Sequence, residues 1–91
     1  MPVSLTVPTS FAHYADGQSQ FELEGGNIAE VLANLVSKHP DLRIRVMNDS
    51  GDLYSYLPMF RNEEKLPLTG LARVPVADGD ELEIITLASG G

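Results

Sequence analysis

Residues 27–40 constrain the fold more than any other stretch of the chain. Ile28, Val31, Leu32, Leu35 and Val36 recur at i, i+3, i+4, i+7 and i+8, which is one apolar stripe of an α-helix. Asn27 stands where an N-cap is needed, and Glu30 follows three residues later in the capping-box position. Pro40 closes the run, because the residue before a proline avoids the α region. The spacing predicts a helix over about 28–38. A single stripe cannot bury itself, so a second layer must cover it.

Alternating segments supply that layer. Val3, Leu5 and Val7 alternate with Ser4 and Thr6, a half-buried strand that Pro8 ends. Residues 9–20 are polar and contain Asp16-Gly17, which reads as a loop closing a hairpin, with Phe11 and Tyr14 over the edge of the core. Residues 20–24 alternate again as a second strand, broken by Gly25-Gly26. Residues 41–52 are ambiguous: Leu42, Ile44 and Val46 alternate with Arg43 and Arg45, so a strand and a short irregular helix are both arguable before the turn cluster at 48–52.

A third strand is expected within 53–61, mainly from Tyr56, with Pro58 arguing for an edge strand or a bulge. Asn62-Glu63-Glu64 reads as a turn, 65–68 as a short extended piece, and 69–77 as an irregular run with Leu71 and Val74 or Val76 turned inward. Asp78-Gly79-Asp80 is a tight-turn signal, since glycine supplies positive φ and aspartates bond the local backbone. Residues 81–87 follow as the last strand, with Leu82 and Ile84 opposite Glu81 and Glu83, before Ile85 begins a more apolar finish. One helix on a sheet of four to five strands is a two-layer α+β domain. Its expected core is Val3, Leu5, Val7, Leu23, Ile28, Val31, Leu32, Leu35, Leu82 and Ile84. The expected division is a domain over 1–87 and a flexible tail over 88–91.

Composition narrows the function classes. With 13 acids against 6 bases, the net charge of −7 lacks the basic footprint of nucleic-acid binding and disfavours anionic membrane surfaces. The chain has no cysteine, which removes disulfides, zinc-thiolate sites, cysteine nucleophiles and iron–sulfur ligation together. No signal peptide is visible and no apolar run approaches the roughly 20 residues of a membrane span, so a cytoplasmic setting is expected.

The last four residues, Ala88-Ser89-Gly90-Gly91, carry the chemistry of most interest. Extended, they reach roughly 13 Å, enough to carry the terminal carboxylate into another protein's active site. Two glycines remove both β-carbons beside that carboxylate, so the end can thread a narrow channel. Its pKa of roughly 3.5 in model peptides leaves it ionised at neutral pH. A carboxylate can attack the α-phosphate of a nucleotide, and a sulfur donor can convert the resulting acyl-adenylate to a thiocarboxylate. At ordinary glycine usage a terminal Gly-Gly arises by chance about once in 200 chains, so the pair gains weight only from the acidic turn and strand before it.

Other clusters favour ordinary readings. His13 and His39 sit in different loops, which suits solvated side chains better than a two-histidine metal or acid–base site. Asp78, Asp80 and Glu81 lack the spacing of a calcium loop. Gly25-Gly26 lacks the surrounding pattern of a phosphate loop, so a plain strand-to-helix break is favoured over an anion site. Ser10, Ser19 and Ser55 have no nucleophile context. Arg43, Arg45, Arg61, Lys65 and Arg73 are as readily a scattered solvated set as a docking patch.

The ending Val76-Ala77-Asp78-Gly79-Asp80-Glu81-Leu82 with the closing Gly90-Gly91 resembles the C-terminus of the MoaD/ThiS group of ubiquitin-like sulfur carriers. The helix from Asn27 and the segment Met59-Phe60-Arg61-Asn62-Glu63-Glu64 fall where that family has its helix and a strand–turn hairpin. The proline at Pro58 departs from the family, whose matching strand is usually valine-rich. The resemblance implies a β-grasp fold, a mixed sheet whose first and last strands are parallel neighbours with the helix on one face. It favours an irregular connection with a helical turn over 41–52.

A plant-type ferredoxin shares that fold, and the absence of cysteine excludes it. The resemblance further implies a carrier rather than an enzyme. An ATP-dependent adenylyltransferase would activate Gly91, with Gly90 keeping the tail thin, and a sulfur donor would supply the thiocarboxylate. A sulfur-accepting synthase would receive it, docked on Leu87, Ala88, Ser89 and Phe60. No cofactor would be bound, ATP being used by the activating partner. The family serves the molybdenum-cofactor pterin, thiazole and cysteine, and the long stretch between the helix and the third strand is more similar to the cysteine type. A protein modifier joined through Gly91 to target lysines, or a binding module with an idle tail, would share the fold.

Overall fold

The computed structural model describes residues 2–86. The helix forms where the stripe places it: α1 spans Ile28–Lys38, and the Asn27 side chain accepts a hydrogen bond from the Glu30 N–H. Glu30 in turn accepts from the Gly26 N–H through Oε1 at 2.7 Å, which completes the capping box. Ile28, Val31, Leu32 and Leu35 are buried, each burial stabilising by about 1.5–3 kcal/mol against exposure.

The sheet has five strands: β1 (Val3–Thr6), β2 (Gln20–Leu23), β3 (Met59–Arg61), β4 (Glu64–Lys65) and β5 (Glu81–Ile84). Their spatial order is β2-β1-β5-β3-β4. β1 pairs antiparallel with β2 and parallel with β5. β5 pairs antiparallel with β3, with Met59 opposite Ile84 and Arg61 opposite Leu82. The last strand is therefore the middle of the sheet, held on both edges. All ten expected core residues are buried beneath or within the helix layer. The expected boundary at 87/88 lies outside the described residues.

Three local expectations are corrected. The loop closing the first hairpin contains a 3-10 helix over Thr9–Tyr14, packed by Phe11 and Tyr14 against the core. The third strand is shorter than expected, because Tyr54 and Tyr56 belong to a turn in which the Leu57 N–H donates to the Tyr54 carbonyl. Pro58 lies on neither an edge strand nor a bulge. It immediately precedes β3, an interior strand, where only its carbonyl is needed, and it accepts from the Ile85 N–H at 3.0 Å.

The ambiguous segment resolves as a 3-10 turn over Pro40–Leu42 followed by α2 (Arg43–Val46). Leu42 and Val46 are buried while Ile44 is 62% exposed. A strand would have put all three on one face; the i, i+4 pair shows that helical spacing won.

Candidate functional site

The candidate site is built around β5, whose start and end are held differently. At its start, Gly79 has φ 84°, and the Asp80 N–H donates to the Ala77 carbonyl at 3.0 Å. The Asp80 carboxylate accepts from the Ala77 N–H at 2.9 Å and from the Asn62 amide at 3.4 Å. Asn62 also accepts from the Glu81 N–H through Oδ1, at 3.1 Å, and donates its own N–H to the Glu81 carbonyl. The Gly79 N–H reaches the Pro2 carbonyl. The β3–β4 turn is thus tied to the acidic turn by side chains as well as by the ladder. The sequence marked both turns but not this link between them.

At its other end β5 delivers the chain toward its terminus. The ladder continues one residue beyond the strand through the bond from Ile85 to Pro58, so the last described residues leave from the centre of the sheet. Leu87, Ala88, Ser89, Gly90 and Gly91, the remaining expected site residues, lie outside the described residues. Phe60 is described, and the register places it opposite Glu83 and Lys65 on the sheet face away from α1.

That open face holds a shallow groove of about 560 Å³ lined by Phe60, Glu22, Glu81, Glu83 and Glu63 among others. It is acidic around one half-buried aromatic ring, which suits a partner presenting an apolar pocket bordered by bases. Ile85, 39% exposed, falls on the same face by alternation with Glu83. The expected docking set did not include it by number, although its place after Ile84 in an alternating strand was the available signal.

The alternative sites do not assemble. His39 packs its ring 5.2 Å from Phe21 and His13 its ring 4.0 Å from Tyr14, each against a different aromatic partner. Among the described residues, no group of three or more His, Cys, Asp or Glu side chains is placed to hold a metal ion. The α1 N-terminus is already occupied by Glu30, which fits a plain strand-to-helix break. Gly25 is needed there because a β-carbon would stand 2.8 Å from Val31 Cγ2. The five bases disperse. Arg61 donates to the Pro75 carbonyl, Arg43 pairs with Asp49, and Arg45 lies over the Tyr14 ring. Lys65 and Arg73 are exposed on β4 and on the later 3-10 turn. No described helix is long and apolar enough to cross a membrane.

Comparison with known proteins gives consistent matches. A model of the ThiS family matches residues 5–91. Sulfur carrier protein CysO of Mycobacterium tuberculosis is 26% identical across 100% of both chains. Small archaeal modifier protein 1 of Haloferax volcanii is 41% identical over 64 residues, 70% of this chain and 69% of that one. Among solved structures, a chain of the BexX/CysO complex of Amycolatopsis orientalis superposes with a TM-score of 0.85 at 25% identity, covering 98% of this chain and 99% of its own. Small archaeal modifier protein 1 of Haloferax volcanii gives 0.81 at 29% identity over 100% of both chains.

Proposed function

The chain belongs to the ThiS family and has its β-grasp fold, and from that premise we propose that it is a sulfur carrier working through its C-terminal carboxylate. The carrying observation is the family match, which runs to the final Gly91 and so takes in the closing glycines. Its relatives are small ubiquitin-like carriers rather than enzymes, CysO among them. The setting of β5 in the middle of the sheet supports the reading mechanically, because a tail pulled by a partner loads a strand paired on both sides.

In this reading, a Gly91 carboxylate oxygen attacks the α-phosphate of ATP on an adenylating enzyme and pyrophosphate leaves. A sulfide-level sulfur from a donor then attacks the acyl carbon and AMP leaves, giving the thiocarboxylate. The sulfur passes to an acceptor held by a synthase, which docks on the acidic face around Phe60. The setting is the cytoplasm, where ATP and a reduced sulfur donor are both at hand. Similarity to CysO over the full chain favours cysteine as the end product of the pathway.

A second reading has its own support. The 41% identity to small archaeal modifier protein 1 favours conjugation of Gly91 to target lysines. The intact mass of protein isolated from its native host separates the two. One oxygen replaced by sulfur is the expected result for a carrier. High-mass adducts through lysine would establish the modifier, and an unmodified chain under sulfur demand would overturn both.

A further inference from the structure

The strand order leaves two outer edges, one on β2 and one on β4. β4 is 2 residues long and carries a base, Lys65. β2 is 4 residues long, and its register with β1 shows which of its backbone groups are in use. The Val7 N–H donates to the Ser19 carbonyl at 2.8 Å, which aims the backbone of residue 19 at β1. Alternate residues of an antiparallel pair bond to the partner strand, so Phe21 and Leu23 face β1 opposite Leu5 and Val3. Gln20 and Glu22 therefore turn their N–H and C=O groups outward. No other hydrogen bond between described residues takes these groups up.

This free stretch is bounded at both ends. Before it, Gln18 donates its N–H to the Ala15 carbonyl at 2.9 Å, inside the preceding loop. After it, the Asn34 amide on α1 donates to the Glu24 carbonyl at 2.7 Å. Unpaired backbone groups on a sheet edge are a template for another strand, which gains ladder bonds from them. The edge also borders the acidic groove, because Gln20 and Glu22 are among its lining residues. Gln20 stands opposite Thr6, and Thr6 beside Glu83. The edge is thus level with the tail end of β5 and two strand spacings, about 10 Å, away from it.

Charge selects the occupant. Residues 15–37 contain Asp16, Glu22, Glu24 and Glu30 and no Lys, Arg or His. A strand laid beside β2 brings its side chains to about 5 Å from Glu22, where opposite charge stabilises and like charge opposes pairing. A second copy joined through the same edge would set glutamates against glutamates. We infer that the outer edge of β2 takes a basic, extended segment of the adenylating enzyme as an added strand. This rests on the carrier reading. Phe60, assigned above to the synthase, lies in β3 on the other side of β5, which leaves the β2 edge to the enzyme that acts first on the tail.

The test has two readouts. Backbone amide hydrogen exchange is followed residue by residue in the free chain and with the host's adenylating enzyme bound. The Gln20 and Glu22 amides should exchange freely in the first case and at least roughly tenfold more slowly in the second. ATP–pyrophosphate exchange is then measured at increasing concentrations of wild type, Glu22→Pro and Glu22→Ala. Proline is tolerated where the missing N–H faces out of the sheet, and melting curves verify folding. Glu22→Pro should raise KM for the carrier roughly tenfold or more while kcat holds. Glu22→Ala keeps the backbone donor and should stay within about threefold of wild type. Unprotected Gln20 and Glu22 amides in the complex overturn the added strand, and this readout decides alone if Glu22→Pro does not fold. An unchanged KM in folded Glu22→Pro overturns it too, as does an equal rise in Glu22→Ala, which would reduce the effect to the carboxylate. Protection of these amides in a concentration-dependent dimer, or by the synthase alone, overturns the occupant. Absence of exchange with wild type instead overturns the carrier reading, and the edge's role with it.

Discussion

The two ends of β5 are built on different principles. The start is polar and closed: the Asp80 carboxylate accepts from Ala77 and Asn62, and Asn62 accepts from Glu81, which ties the acidic turn to the β3–β4 hairpin. The end is apolar and open: Ile85, which donates its N–H to the Pro58 carbonyl, keeps its side chain exposed. Hydrogen bonds at the start stabilise the strand, whereas exposed Ile85 at the end contributes little to folding. In the proposed function, one end of the carrier's last strand resists force while the other engages partner enzymes.

The largest effect should come from the core that both ends share. Leu82 is 2% exposed beneath the helix, and Leu82→Ala is expected to cost about 2–5 kcal/mol in urea unfolding. A loss well under 1 kcal/mol would mean that β5 is not the packed centre of the domain.

At the start of the strand, Asp80→Ala removes the acceptor for the Ala77 N–H and the Asn62 amide. A loss of about 1–2 kcal/mol is expected, with adenylation by the activating enzyme little changed. Strong loss of adenylation in a stable Asp80→Ala protein would erase the distinction between the two ends. In the hairpin beside it, Glu63 holds φ 76°, a left-handed conformation that suits glycine. Glu63→Gly is expected to raise stability by up to about 1 kcal/mol, measured by thermal melting. The smallest effect on stability belongs to the open end. Ile85→Ser should stay within about 0.5 kcal/mol of wild type, while weakening binding to the activating enzyme in titration calorimetry.

The same contrast explains what was legible in the sequence. β1, β2, α1 and β5 pack one face against a single core, so their periodicity survives in the residue pattern, and Leu5, Leu32 and Leu82 could be placed without coordinates. Residues 39–58 pack piecewise. Leu42 and Val46 are buried at helical spacing, but Ile44 between them imitates a strand's alternation. Tyr54 and Tyr56 have strand-like character yet satisfy each other by stacking across a turn. Pro58 signalled an edge because its missing N–H was weighed and its useful carbonyl was not.

The chemistry proposed for Gly90-Gly91 was drawn from residue type and place in the sequence alone, and those residues lie outside the described ones. The docking surface was less legible. Phe60 entered through the hairpin segment that resembles the family, but its place opposite Glu83 and Lys65 depends on long-range register that no local pattern encodes.

The most direct measurement is the fragment mass spectrum of the C-terminal peptide after incubation with the adenylating enzyme, ATP and a sulfur donor. Sulfur in place of one oxygen on Gly91, with every other residue unaltered, is the predicted result. An unaltered Gly91 in a reaction that consumes ATP, or sulfur found on any other residue, would contradict the account.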